Sequence, residues 1–147
     1  MEEGGSELQA ALNSLPHGRE FRFVDELRSL IPGISAEGTY LVRGDEDFLR
    51  GHFPGRPMMP GVILVEAVAQ LAGVVAQTDP ELEPMADLRL TAMRKVKIFG
   101  AAVPGDELTI RARLSGRMGN LILAEGEVEV AGSIMATAVV TLSGAEG

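Results

Sequence analysis

Hydrophobic and polar positions divide this chain into one unbroken apolar stretch and a series of alternating ones. Between Gly61 and Gln77 the residues are apolar nearly all round, interrupted only by Glu66 and Gln70, which stand four positions apart and so share one helix face. This pattern predicts a long buried helix, with Pro60, which has no N–H to lose, at its first position. Alternation of period two predicts strands over 88–99, 108–114, 121–130 and 134–142, and more weakly over 21–24 and 35–43. Gly119-Asn120 and Ala131-Gly132 stand as turns between the last three strands, which predicts an antiparallel meander. Near the N-terminus, Ser6-Glu7-Leu8-Gln9 has the form of a capping box opening a short amphipathic helix, with Leu8, Ala11, Leu12 and Leu15 on one face. One apolar helix among many strands points to an α+β fold. With no repeat, low-complexity tract or interdomain linker, residues 1–147 are expected to form one domain, loosely ordered over 1–5 and 144–147.

The candidate chemistry sits around the start of the long helix. Gly61 and Val62 carry no side-chain oxygen to cap the first-turn N–H groups. Those donors, with the helix dipole behind them, are open to an oxygen bearing partial negative charge or simply to water. Glu66 lies a turn and a half further on, where a carboxylate is costly unless paired, hydrogen-bonded or protonated. Protonation near neutral pH is what a general acid requires; a structural lock to a buried donor is the plainer alternative. His52 lies in a Gly/Pro-rich loop, a setting that commonly shapes backbone around a functional side chain. Spacing alone does not show that it meets Glu66. Phe53, Met58, Met59 and Ile63 are apolar and adaptable, suited either to lining an acyl slot or to the core.

The run Gly51-His52-Phe53-Pro54-Gly55, continued by Met59-Pro60-Gly61-Val62 and Glu66-Ala67-Val68-Ala69-Gln70, resembles the signature of bacterial 3-hydroxyacyl-[acyl-carrier-protein] dehydratases of the FabZ type. Leu15-Pro16-His17 with Phe21 and Val24-Asp25, and later Val103-Pro104-Gly105-Asp106, extend the resemblance over about residues 15–142. It implies a hot dog fold, an antiparallel β-sheet wrapped around a long central α-helix, in a homodimer with shared active sites that in many members assembles as a trimer of dimers. It further implies dehydration of a (3R)-hydroxyacyl thioester on acyl carrier protein to the trans-2-enoyl thioester, in fatty acid or lipid biosynthesis. By position, His52 is then the base that takes the α-proton, Glu66 of the partner chain assists departure of the β-hydroxyl, and the backbone N–H of Gly61 polarises the thioester carbonyl. Gln70 and His17 stand as supporting residues; His17 taken on its own reads as a hydrogen-bonded structural histidine near the start of the first strand.

The chemistry suits these residue types. Eliminating water needs a base for a weakly acidic C–H, a donor for a poor leaving group and stabilisation of an enolate-like oxygen, and imidazole, carboxylic acid and helix N-terminus supply all three. Proton-transfer assistance on the order of 10²- to 10⁴-fold, with an oxyanion donor, leaves no requirement for a metal or organic cofactor. Two alternatives stay open: an acyl thioesterase of the hot dog fold, in which Glu66 activates water, and a non-catalytic acyl- or carrier-binding subunit. The histidine loop at 51–54 speaks against the thioesterase.

Composition refines the picture. With no cysteine and no closely spaced histidine pair, the sequence offers no metal site. A chain of 147 residues with 46% hydrophobic content can bury a substantial core, yet an all-apolar helix needs more cover than one sheet provides, which favours a dimer. A net charge of −8, without a basic stripe interleaved with aromatics, weighs against nucleic acid. The apolar segment is short for a membrane span and contains Glu66. An acidic N-terminus lacking an apolar segment predicts no signal peptide and a cytoplasmic location. Acyl carrier protein is itself acidic, so docking calls for a local basic patch; Arg89, Arg94, Lys95 and Lys97, joined by Arg50 and Arg56, are the candidates, against a plain solvated strand face. The chain departs from the family pattern where Ile98, Phe99 and Gly100 replace an aromatic and a basic pair, and where Gly18 and Glu20 replace the usual arginine and proline.

Overall fold

The computed structural model describes residues 2–13, 15–50 and 55–145; the side chains of 2–6, 19 and 50 are outside that description. In chain order the elements are α1 (Glu2–Leu12), a 3-10 turn (Arg19–Phe21), β1 (Glu26–Ile31), β2 (Ser35–Leu41), α2 (Asp47–Arg50), α3 (Gly61–Gln77), β3 (Arg89–Ile98), β4 (Glu107–Met118), β5 (Leu121–Val130) and β6 (Ser133–Ser143). The strands form one antiparallel sheet in the order β1-β2-β4-β5-β6-β3. One face of it carries α3, which meets all strands from β2 to β6.

Side-chain size explains how the helix seats itself. Ala112 on β4 pairs with Gly126 on β5, which pairs with Ala138 on β6, so a row of small residues crosses three neighbouring strands. Val68 of α3 lies over that row: a Cβ on Gly126 would run into both the Val68 side chain and the Arg111 carbonyl. Larger aliphatics fill the space on either side, and Leu64, Val65, Val68, Leu71, Val74 and Val75 of the helix are fully buried with Leu108, Ile110, Ile122, Val128 and Val140 of the sheet. Each is worth about 1.5–3 kcal/mol of transfer free energy. No helix among the described residues is long and apolar enough to cross a membrane.

Several boundaries differ from those predicted. The first helix begins at Glu2 rather than Ser6, which places the Ser-Glu-Leu-Gln run inside it. Pro60 is the residue before α3, not its first helical position, and no side chain caps the helix start. Gly144 and Ala145 donate backbone hydrogen bonds to the carbonyls of Asn120 and Ala86. Residues 21–24 do not form a strand: the 3-10 turn is followed by an extended link in which Phe23 and Val24 are both buried and the Phe23 N–H is taken by the side chain of Gln70. β1 starts only at Glu26, and a register shift between Leu27 and Ser29 hides its period. The final meander of β4, β5 and β6 forms as predicted, turning at Ala131-Gly132 with both residues at positive φ, the form that matches strand twist in two-residue hairpins.

Candidate active site

Glu66 projects from the second turn of α3 and is half-buried. Loss of solvent holds its carboxyl above the usual carboxylate range, with a hydrogen bond from Gln70 pulling the other way. Gln70 is itself almost completely buried and is fixed at both ends of its amide. Its Oε1 accepts the Phe23 N–H at 2.8 Å and its Nε2 donates to the Phe21 carbonyl at 2.8 Å. Gln70 therefore ties α3 to the link before β1 and holds a fixed amide beside the acid.

A cavity of about 430 Å³ opens against this carboxyl. Its helical wall consists of Glu66, Ala69, Gln70, Gly73 and Gln77, positions that repeat at the spacing of one helix face. Leu15, Pro16 and His17 close one side, and Met85, Asp87, Leu88, Arg89, Leu90 and Leu142 the other. Gln77, at the end of the helical wall away from Glu66, pairs with the backbone of Met85 in both directions, donating to its carbonyl at 2.7 Å and accepting its N–H at 2.8 Å. Gly73 stands in the middle of the wall. A glycine inside a helix costs about 1 kcal/mol relative to alanine, and here neither backbone nor neighbours demand it. A Cβ at this position would stand 4.0 Å from Leu88 Cδ2 and from Leu142 Cδ1, at ordinary contact distance.

His17 enters the same cavity. It does not start a strand but precedes the 3-10 turn, so its expected place near the start of the first strand is corrected, and its buried Nδ1 has no hydrogen-bond partner among the described residues. Burial, and then the positive charge of Arg22, lower its pKa and keep the ring neutral at physiological pH. Its ring stacks on Phe21 at a centroid distance of 6.2 Å.

His52 and Phe53 lie outside the described residues. Met58, Met59 and Ile63 do not line the cavity beside Glu66: Met59 is 1% exposed in the core and bridges Ala102, and Ile63 packs on the core's edge. Gly61 opens α3 with uncapped N–H groups, and a Cβ on it would collide with Ile98 of β3, so glycine permits the close approach of helix start and strand. The basic candidates all lie on β3 apart from Arg50, whose side chain is not described, and exposed Arg56. Arg89 sits at the cavity; Lys95 and Lys97 face a shallow groove on the outer sheet surface that also holds Arg113, Glu125 and Glu127, so the four β3 cations do not form one patch. Sequence reading did not single out Leu15, Gly73, Gln77, Met85, Leu88, Leu90 and Leu142, which line this cavity. The one signal for part of that set was the helix face shared with Glu66, followed onward to residues 73 and 77.

Comparison with known proteins bears on what such a site does. The family model described as the FabA-like domain matches residues 15–139. The 3-hydroxyacyl-[acyl-carrier-protein] dehydratase FabZ of Nitratidesulfovibrio vulgaris (strain DSM 19637 / Miyazaki F) is 37% identical over 137 residues, covering 92% of this chain and 88% of that protein. The protein of the same name from Natranaerobius thermophilus is 36% identical over 129 residues, covering 88% of this chain and 90% of its own. Among solved structures, the dehydratase heterocomplex ApeI:P from Xenorhabdus doucetiae superposes with a TM-score of 0.76 at 19% identity, over 92% of this chain and 90% of that one. Zebra fish thioesterase superfamily member 2 gives 0.69 at 17%, over 96% and 95%. At these identities the two structures speak for a shared fold only.

Proposed function

The chain belongs to the FabZ-type 3-hydroxyacyl-[acyl-carrier-protein] dehydratases, and from that premise we propose that it removes water from its substrate by acid-base catalysis between Glu66 and His52. The enzyme is a hydro-lyase of fatty acid biosynthesis with a hot dog fold. The observation that carries the residue assignment is the half-buried Glu66, kept easy to protonate by desolvation and set in the wall of a largely apolar cavity.

In this reading the imidazole of His52 takes the α-proton, and electron density moves onto the thioester oxygen. The uncapped N–H of Gly61 and the positive end of α3 stabilise that oxygen. The protonated carboxyl of Glu66 gives its proton to the departing β-hydroxyl, which leaves as water, and the proton accepted by His52 restores the acid through solvent. The acyl chain runs down the cavity between the Glu66 face of α3 and the leucines at 88, 90 and 142. The active site is shared by two protomers, His52 of one meeting Glu66 of the other. Supporting such a dimer, β3 is a sheet edge on which Met93, Val96 and Ile98 are exposed, as are Phe99 just after it and Val62 at the helix start, apolar surface that needs cover. Acyl carrier protein delivers the substrate, with Arg89 at the cavity as its first basic contact.

Turnover of an enoyl thioester in the hydration direction tests the proposal. Glu66→Gln and His52→Ala are each expected to lose about 10²- to 10⁴-fold in kcat while remaining folded. Mixing the two inactive variants under exchange is expected to restore activity, since a mixed dimer holds one complete site. A variant that keeps wild-type turnover removes its residue from the mechanism.

A further inference from the structure

We propose that Gly73 sets how long an acyl chain this enzyme accepts, by leaving the wall of the slot open at mid-helix. The inference rests on the reading that the cavity beside Glu66 holds the substrate's acyl chain. Gly73 lies seven residues beyond Glu66 on the same helix face, about 10 Å along the axis, with Ala69 and Gln70 lining the wall between. Its backbone is ordinary helix, and a Cβ there would only touch Leu88 and Leu142 at 4.0 Å. Gly126 offers the contrast: there the neighbours forbid any side chain. Packing therefore accounts for Gly126 and leaves Gly73 without a structural reason, while the space that it leaves open lies between Leu88 and Leu142, on the path of a chain extending from Glu66. Beyond it the cavity continues to Gln77 and Met85, which are paired with each other. A branched side chain at residue 73 would project into that path and stop longer chains short of those two residues.

The test compares wild type, Gly73→Ala and Gly73→Leu in hydration of crotonyl and trans-2-decenoyl thioesters. The ratio of decenoyl to crotonyl kcat/KM is expected to fall at least about tenfold in Gly73→Leu, with a smaller fall in the same direction for Gly73→Ala, since even one methylene of clash in an apolar pocket is worth that much. An unchanged ratio in both variants overturns the proposal. Affinity for saturated acyl pantetheine thioesters of the same two lengths, measured by calorimetry, separates this from the functional reading. If wild type binds the longer chain more tightly but hydrates neither substrate, the dehydratase reading fails. Loss of that length preference in the variants would still support Gly73 as the residue that sets chain length, and its persistence would overturn the role.

Discussion

The two long faces of α3 are built for different ends. The face toward β4, β5 and β6 carries Leu64, Val68, Leu71 and Val75, all buried and apolar, over a trough of small sheet residues. The face toward the cavity carries a carboxyl held above its usual pKa, a buried amide, a helix-interior glycine and a second amide. Every residue on the first face lowers the free energy of the fold. Glu66 and Gly73 on the second each raise it relative to a leucine or an alanine, and Gln70 is tolerated only because both ends of its amide are bonded. One helix thus separates stability from chemistry by a rotation about its own axis, and substitutions on the two faces should be separable in the same way.

The largest effect is expected on the packing face. Leu71→Ala removes a fully buried side chain over the sheet and should cost about 2–5 kcal/mol in chemical denaturation, with chain-length preference unchanged. Next comes Gln70→Ala, which strands the Phe23 N–H and the Phe21 carbonyl and should cost about 1–3 kcal/mol. Unlike Leu71→Ala, it should also alter the pH dependence of turnover, because Glu66 loses the hydrogen bond that favours its charged form. Gly73→Ala reverses the sign: the protein should gain about 0.4–1 kcal/mol, read as a raised denaturation midpoint. The smallest effect is the stability of Glu66→Gln as a function of pH. The Glu66 pKa is raised on folding above the ordinary glutamate value of 4.5, so the neutral acid is the form that the fold favours. Its relative stabilisation is complete below 4.5 and lost as pH rises through the folded value. The uncharged variant should therefore match wild type in acid and become the more stable protein toward neutral pH.

What was legible in the sequence follows the same division. The existence of α3 and the order of the β4–β6 meander came directly from period and turn chemistry, because burial on one face imposes a pattern that local residues must obey; β4 runs on to Met118, past the 114 that alternation predicted. Glu66 stood out for violating that pattern. Residues 21–24 misled because the alternation of two phenylalanines there serves a side-chain clamp from Gln70, forty-seven positions away, and no local pattern records such a contact. β1 was lost to a bulge. Met58, Met59 and Ile63 lie off the cavity beside Glu66 because nearness in sequence does not fix nearness in space: that cavity is lined by the helix turns beyond Glu66 and by strand residues as distant as Leu142. Gly73 was invisible for a related reason. A glycine in an apolar helix reads as mere tolerance until the space beside it is seen to be open.

The central claim is that the cavity keeps the Glu66 carboxyl easy to protonate. Carbon-13 NMR titration of glutamate side-chain carboxyls, with the Glu66 resonance assigned from its absence in Glu66→Gln, measures this directly. A Glu66 pKa well above that of the exposed glutamates is the result expected. A value at or below theirs would show a permanently ionised carboxylate, and would contradict its role as the acid that releases water.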